Sequence, residues 1–169
     1  MSRISFRKVS SDADILQVSR LAHEIWREHY RTLLAPDKLE YMLEKMLTPG
    51  PIREQIAARY EYEFITRLGR PVGFVAYRPD DPPKSMFVSK IYLLKEERGK
   101  GYFHDILSHL SEAAVRSGQE RLWLTVDRTN PSQEAYRAAG FTVEKEVDTD
   151  IGGGYYMLDY VMEYPLKPA

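Results

Sequence analysis

Two short segments hold the residue types whose spacing could do chemistry. The first runs Leu93-Leu-Lys-Glu-Glu-Arg-Gly-Lys-Gly-Tyr-Phe103. Gly99 and Gly101 let the backbone pass close to a ligand without side-chain obstruction. Behind them Phe103, Ile106, Leu107, Leu110, Ala113 and Ala114 recur at helical spacing, so the segment opens a helix. The first turn of a helix carries unpaired N–H groups and a positive dipole end. Arg98 and Lys100 add positive charge at the same place. This combination predicts an anion cradle of the kind that holds a pyrophosphate. It is not a dinucleotide fingerprint, because His104 occupies the third glycine position. It is not a Walker loop, because no Gly-Lys-Ser/Thr follows. A plain glycine turn is the common fate of an isolated Gly-x-Gly. Placement between an apolar strand and a helix, with Arg98 in front, favours the anion site.

The second segment is Leu122-Trp-Leu-Thr-Val126 followed by Thr129-Asn-Pro-Ser-Gln-Glu-Ala-Tyr-Arg-Ala-Ala-Gly-Phe141. Pro131 fits the first turn of a short helix, which Thr129 or Asn130 can cap. Gly140 fits the position just past its end. Tyr136 falls in the middle. On these residues alone it is a half-buried packing tyrosine.

The elements around the two segments can be read from their periodicity. Ile4 and Phe6 alternate with polar residues as a first strand. Ile15, Val18, Leu21, Ala22, Ile25 and Trp26 form a long helical stripe, with Ser11 or Asp12 as cap and an end near Tyr30. A second stripe follows Pro36, and Thr48-Pro-Gly-Pro51 breaks it before a short helix over 52–59. Residues 62–66 and 72–77 read as a hairpin around Leu68-Gly-Arg-Pro71. The stretch 86–94 is too apolar for a one-sided strand and suits the buried centre of a sheet. Strands are expected at 121–126, 141–147 and 155–162, with a helix over 131–139 and Gly152-Gly-Gly154 joining the last two strands. The later strand–helix–strand unit predicts a locally parallel pair in a mixed sheet.

Composition bounds the function. With 169 residues, 43% of them apolar, the chain is expected to fold as one domain spanning 1–169. The 24 basic and 25 acidic residues nearly cancel, so neither nucleic acid nor an anionic membrane is expected as a partner. There is no cysteine, which removes disulfides, thiolate metal sites and cysteine nucleophiles. The histidines 23, 29, 104 and 109 fall in no zinc-binding motif, so no metal is expected. No apolar run approaches a membrane span, and the basic start lacks a signal-peptide core, so the expected location is the cytoplasm.

The stretch Ile91-Tyr-Leu-Leu-Lys-Glu-Glu-Arg-Gly-Lys-Gly101 resembles the coenzyme A segment of Gcn5-related N-acetyltransferases, whose pattern is Arg/Gln-x-x-Gly-x-Gly/Ala. Arg98 and Gly101 match it, and Phe103 stands at its last, normally small, position. The second segment resembles the family's Asn-x-x-Ala-x-x-x-Tyr-x-x-x-Gly-Phe. Tyr136, Gly140 and Phe141 align, while Asn130 is one residue too close to Tyr136. The resemblance covers residues 4–166. It implies an α/β (α+β) fold, a single mixed sheet of about seven strands flanked by about four helices. It also implies acetyl-coenzyme A as cosubstrate, bound by Arg98, Gly99, Lys100, Gly101, Tyr102, Phe103 and Asn130. The backbone of Ile91 and Leu93 would face the acetyl group. Tyr136 would be the general acid toward the coenzyme A sulfur.

Such a reaction needs an amine stripped of its proton, since lysine-like amines titrate near ~10.4. Many relatives place a glutamate on the buried strand, yet Phe87-Val-Ser-Lys-Ile-Tyr92 has no carboxylate. A fixed water without a dedicated base ranks first, with Asp127, Glu24, Glu28 and His29 as alternatives. The resemblance places a small-molecule amine against the first helix, where Trp26, His29 and Tyr30 are the expected contacts, by cation–π attraction. Trp26 is most simply read as core. Relatives are often dimers, so a homodimer stays open, although no self-complementary face is visible. The rival reading is a sensor that binds acetyl-coenzyme A without turning it over.

Overall fold

The computed structural model describes residues 3–167; the first two residues of the basic N-terminal segment and the last two of the expected 1–169 domain lie outside the described residues. The chain order is β1 (Ser5–Lys8), α1 (Asp12–His29), α2 (Pro36–Met46), α3 (Pro49–Ala57), β2 (Glu61–Arg67), β3 (Arg70–Arg78), β4 (Ser85–Leu93), α4 (Tyr102–Arg116), β5 (Arg121–Asp127), α5 (Gln133–Ala139), β6 (Thr142–Gly152) and β7 (Tyr155–Pro165). The strands form one seven-stranded sheet in the order β1-β2-β3-β4-β5-β7-β6. Strands β4 and β5 run parallel in register Ser85↔Arg121, whereas β1/β2, β2/β3, β5/β7 and β6/β7 are antiparallel. This is the mixed sheet expected from the strand–helix–strand pattern, flanked by five α-helices among the described residues.

Backbone contacts divide the chain into two compact units, Met1–Arg78 with Lys90–Ile106, and Pro79–Ser89 with Leu107–Ala169. In the first unit α1 starts on a reciprocal capping box: Ser11 Oγ accepts from the Asp14 N–H at 3.1 Å and the Asp14 carboxylate returns to the Ser11 N–H. The Ser10 backbone N–H, then Arg7, hold the Asp14 carboxyl down at about 2. Val18, Ala22 and Ile25 on α1 join Leu43, Leu47, Ile52, Phe64 and Phe74 in the core. Helix α3 begins at Pro49, inside the Pro-Gly-Pro stretch expected only to break a helix. Proline at the first helical turn loses no hydrogen bond, so the chain restarts there. Leu68 and Gly69, both at positive φ, form the tight turn between β2 and β3.

In the second unit β5 alternates strictly between buried and half-buried residues. Leu122, Leu124, Val161, Met162 and Leu110 fill the interior. Arg121 staples the strands: its Nε donates to Ser85 Oγ at 2.9 Å and its Nη1 to the Glu163 carboxylate at 2.7 Å. Helix α5 starts at Gln133, two residues later than Pro131 suggested. The reason lies in the turn before it, described below.

Candidate functional site

In the first unit β4 ends at Leu93 and the chain makes a short 3-10 turn over Lys95–Glu97 before reaching Arg98. Gly99 and Gly101 then adopt φ of 75° and 81°, a left-handed conformation that side chains resist, and α4 begins at Tyr102. A Cβ at Gly99 would meet nothing, so glycine is required there by backbone conformation and not by crowding. A Cβ at Gly101 would come within 3.2 Å of Arg3 Nη2. The result is a glycine loop delivering the chain into the N-terminus of a 15-residue helix, whose first-turn N–H groups have no partner within the helix.

The charges expected at this loop are already in use. Arg98 Nη2 lies 2.7 Å from Glu28 Oε1, in an ion contact whose angles are not those of a hydrogen bond. Arg98 Nε donates to the Leu93 carbonyl at 3.1 Å. Lys100 Nζ donates to Glu97 at 3.2 Å, and Glu97, itself buried, also has Arg67 at 4.0 Å. Arg98 therefore ties the loop to the end of β4 and to the last turn of α1.

The residues expected to face an acceptor do come together. Trp26 and Tyr30 are buried, with ring centroids 5.3 Å apart, and His29 lies 4.7 Å from Tyr30. Their common neighbour is Tyr92 on β4, 5.4 Å from Trp26 and 6.0 Å from His29. The Tyr30 and Tyr92 hydroxyls share a hydrogen bond of 2.7 Å. Tyr92 stacks on Phe74 at 5.6 Å and Phe74 on Tyr62 at 6.4 Å, while Lys90 Nζ sits 5.8 Å from the Tyr62 ring. Burial pushes the Lys90 ammonium down to about 8 and raises the Tyr62 phenol. Among the described residues, the Trp26 Nε1 hydrogen has no acceptor.

Sequence reasoning missed Tyr92 as a member of this group. Its spacing from Lys90, two residues along one strand, puts both on one face and was the signal available. It also missed Gly73. A Cβ there would run into the Tyr92 carbonyl, so glycine lets β3 approach β4 beside the aromatic group.

The second unit holds Tyr136 and Asn130. Asn130 is buried, and its side-chain Oδ1 accepts from the Ser132 N–H at 2.9 Å. Asp127 Oδ1 accepts from the Thr129 N–H at 2.8 Å and from its hydroxyl. These two side-chain turns consume the residues ahead of α5, which is why the helix opens after Ser132 and not at Pro131. Asp127 is thus engaged as a turn-former. Tyr136 is half-buried, with its ring 5.6 Å from Phe141. Gly140, at φ 112°, ends α5 and turns Phe141 into the interior, where it stacks on Tyr164 at 5.1 Å.

The family model of the acetyltransferase (GNAT) family matches residues 17–141, a span that includes the aromatic turn of α1, the glycine loop and the Tyr136 helix. The chain belongs to the acetyltransferase (GNAT) family. It is accordingly an acetyl-coenzyme A-dependent acetyltransferase. No curated protein matches the chain in sequence. Among solved structures, the fold is similar to that of the PaiA N-acetyltransferase of Thermoplasma acidophilum in complex with coenzyme A, at 21% identity over 98% of this chain and 99% of that one, with a TM-score of 0.75. It is also similar to a GNAT-superfamily phosphinothricin acetyltransferase from Sinorhizobium meliloti in complex with acetyl-coenzyme A (22% identity, 99% and 94% coverage, TM-score 0.68). A third similar structure is a mutant of the spermidine N-acetyltransferase SpeG from Vibrio cholerae (15% identity, 98% and 95% coverage, TM-score 0.66). At these identities the likeness is one of fold.

Among the described residues, no group of three or more His, Cys, Asp or Glu could hold a metal ion. Among the same residues, no helix is long and apolar enough to cross a membrane.

Proposed function

We propose that this GNAT acetyltransferase transfers acetyl from acetyl-coenzyme A to a primary amine of a small molecule by direct attack, with Tyr136 as general acid. The observation that carries the reading is the left-handed Gly99–Gly101 loop at the start of α4 within a chain of this family. Backbone N–H groups of Gly99 to Phe103 would receive the cofactor phosphates, and Arg98 would fix the loop that presents them. Acetyl-coenzyme A supplies the activated acyl group as a thioester. Binding it through the phosphates positions the reacting carbon with energy drawn from contacts remote from it.

The remaining roles fall to the chain. A backbone N–H at Ile91 or Leu93 would donate to the carbonyl oxygen as negative charge grows there. As the amine nitrogen bonds to the acetyl carbon, the carbon–sulfur bond breaks and the Tyr136 hydroxyl gives its proton to the departing sulfur. The proton lost by the amine would pass through a fixed water to solvent; Asp127 is held by Thr129 and Glu28 by Arg98, which leaves Glu24 and His29 as the alternative bases. Trp26, His29 and Tyr30, with Tyr92, would bound the acceptor. Two similar structures belong to enzymes named for amines, spermidine and phosphinothricin, which supports an amine acceptor. The cytoplasm is the compartment where such a reaction would run.

The test is a thermal-stability titration with acetyl-coenzyme A, followed by thiol release across a panel of amines. A ligand that binds only the folded state raises apparent stability with its concentration. Wild type is expected to shift upward and Gly101→Glu to show no shift. Equal shifts in both would rule out the loop as the phosphate site. Binding without thiol release from any amine would favour a sensor.

A further inference from the structure

The glycine loop is a phosphate site in the reading above, and a phosphate held there by backbone N–H groups gains further from positive charge that is not already neutralised. Neither cation of the motif meets that condition: Arg98 is paired with Glu28 and Lys100 with Glu97. Arg67 shares Glu97 as well, and Lys95 sits one turn earlier, in the 3-10 segment that precedes Arg98. A further cation stands at the loop. Arg3 lies far away in sequence, yet its Nη2 would be 3.2 Å from a Cβ on Gly101, and its Cζ lies 4.8 Å from the Tyr102 ring centroid. Gly101 and Tyr102 are the junction of the loop with α4.

The placement is built by the fold. The residue after Arg3, Ile4, is 3% exposed, and Ser5 pairs with Thr66 in the β1/β2 ladder. The backbone is therefore pinned immediately behind the arginine. The guanidinium itself is on the surface and packs over an aromatic ring, which holds a planar cation without neutralising it. Among the described residues, no carboxylate pairs with Arg3.

We infer that Arg3 is a cofactor-binding residue of this acetyltransferase: it delivers unpaired positive charge, at the junction of the loop with α4, to a phosphate of acetyl-coenzyme A. This rests on the reading of Gly99–Gly101 as the phosphate site. The division of labour follows from the pairing. Arg98 shapes the loop, and Arg3 meets the anion, with a planar fork suited to two phosphate oxygens.

The experiment measures coenzyme A affinity by calorimetry at low and high salt for wild type, Arg3→Gln, Arg3→Lys, Lys100→Gln and Gly101→Glu, together with the melting temperature of each unliganded protein. Arg3→Gln should weaken coenzyme A about tenfold at low salt and flatten the dependence on salt, because screened charge attraction is what it removes. Arg3→Lys should recover part of the loss, and Lys100→Gln should change affinity by less than about threefold. A merely structural arginine, capping the Tyr102 ring, would lower the melting temperature and leave the salt dependence intact. Unchanged affinity in Arg3→Gln, with Gly101→Glu inactive in binding, would overturn the role of Arg3 alone. Unchanged affinity in Gly101→Glu would overturn the phosphate site and this inference with it.

Discussion

Glu28, on the last turn of α1, meets Arg98 of the glycine loop at 2.7 Å. The same turn carries His29 and Tyr30 into the aromatic group around Tyr92. One helix end therefore supports both the loop proposed for the donor and the side chains proposed for the acceptor. Glu28→Gln keeps the size of the side chain and removes its charge. Both partners are about a third exposed, at 32% and 37%, so the cost to stability should stay within about 1 kcal/mol. Affinity for acetyl-coenzyme A should fall severalfold as the loop loses its anchor. Denaturant unfolding and cofactor titration of the same variant check both expectations; a large stability loss with unchanged affinity would reverse the assignment.

Tyr136→Phe removes one hydroxyl from a half-buried ring that packs on Phe141. The packing survives, so cofactor affinity should stay within about twofold, while the maximal rate falls about 100-fold or more, the usual contribution of a general acid. Steady-state kinetics with thiol detection give the rate, and calorimetry gives the affinity. Loss of affinity at unchanged rate would make Tyr136 a packing residue after all.

Lys90 is buried on β4, and burial alone lowers its pKa from 10.5 to about 8. In the unfolded chain the ammonium keeps its ordinary value, so between about pH 8 and 10.5 the unfolded state binds more protons and stability contributed by this site rises with pH. Below pH 8 the folded protein carries the full cost of a buried charge. Lys90→Met should therefore raise the melting temperature at pH 7, and the gain should shrink steadily toward pH 10. Thermal melts of both proteins across that range decide it; a gain independent of pH would point to packing instead.

Gly73→Ala places a methyl group against the Tyr92 carbonyl. Neither backbone can yield without opening the β3/β4 contact, so a loss of about 1–3 kcal/mol or more is expected. Urea unfolding measures it. Gly99→Ala is the useful contrast, since its added carbon meets nothing and only the φ of 75° opposes it.

The fold was legible where periodicity and punctuation agreed. The stripe from Ile15 to Trp26 and the alternation from Arg121 to Val126 each gave an element within a residue or two of its observed bounds. The misplacements came from local chemistry that outranked a rule. Pro131 looked like a helix start, but Asn130 and Asp127 spend their side chains on turns that hold the chain back until Gln133. The glycine loop could be located from its own residues, because positive φ is a local demand. Its electrostatics could not, because Glu28 and Arg3 reach it from remote parts of the sequence. The aromatic group was half visible: α1 announced Trp26, His29 and Tyr30, while Tyr92 was concealed in an apolar strand read only as buried.

The same aromatic group has an optical consequence. The chain has two tryptophans, one in each compact unit. Trp123 donates its indole hydrogen to the Asp81 carbonyl and stacks on Phe87 at 4.3 Å. Trp26 is 4% exposed, has no hydrogen-bond acceptor among the described residues, and lies against Tyr30 and Tyr92. An indole without such a bond in apolar surroundings emits at shorter wavelength than one whose N–H is polarised. With Trp123 replaced by phenylalanine, the emission of Trp26 becomes a label-free signal from the wall proposed for the acceptor, sensitive to any amine that enters beside it.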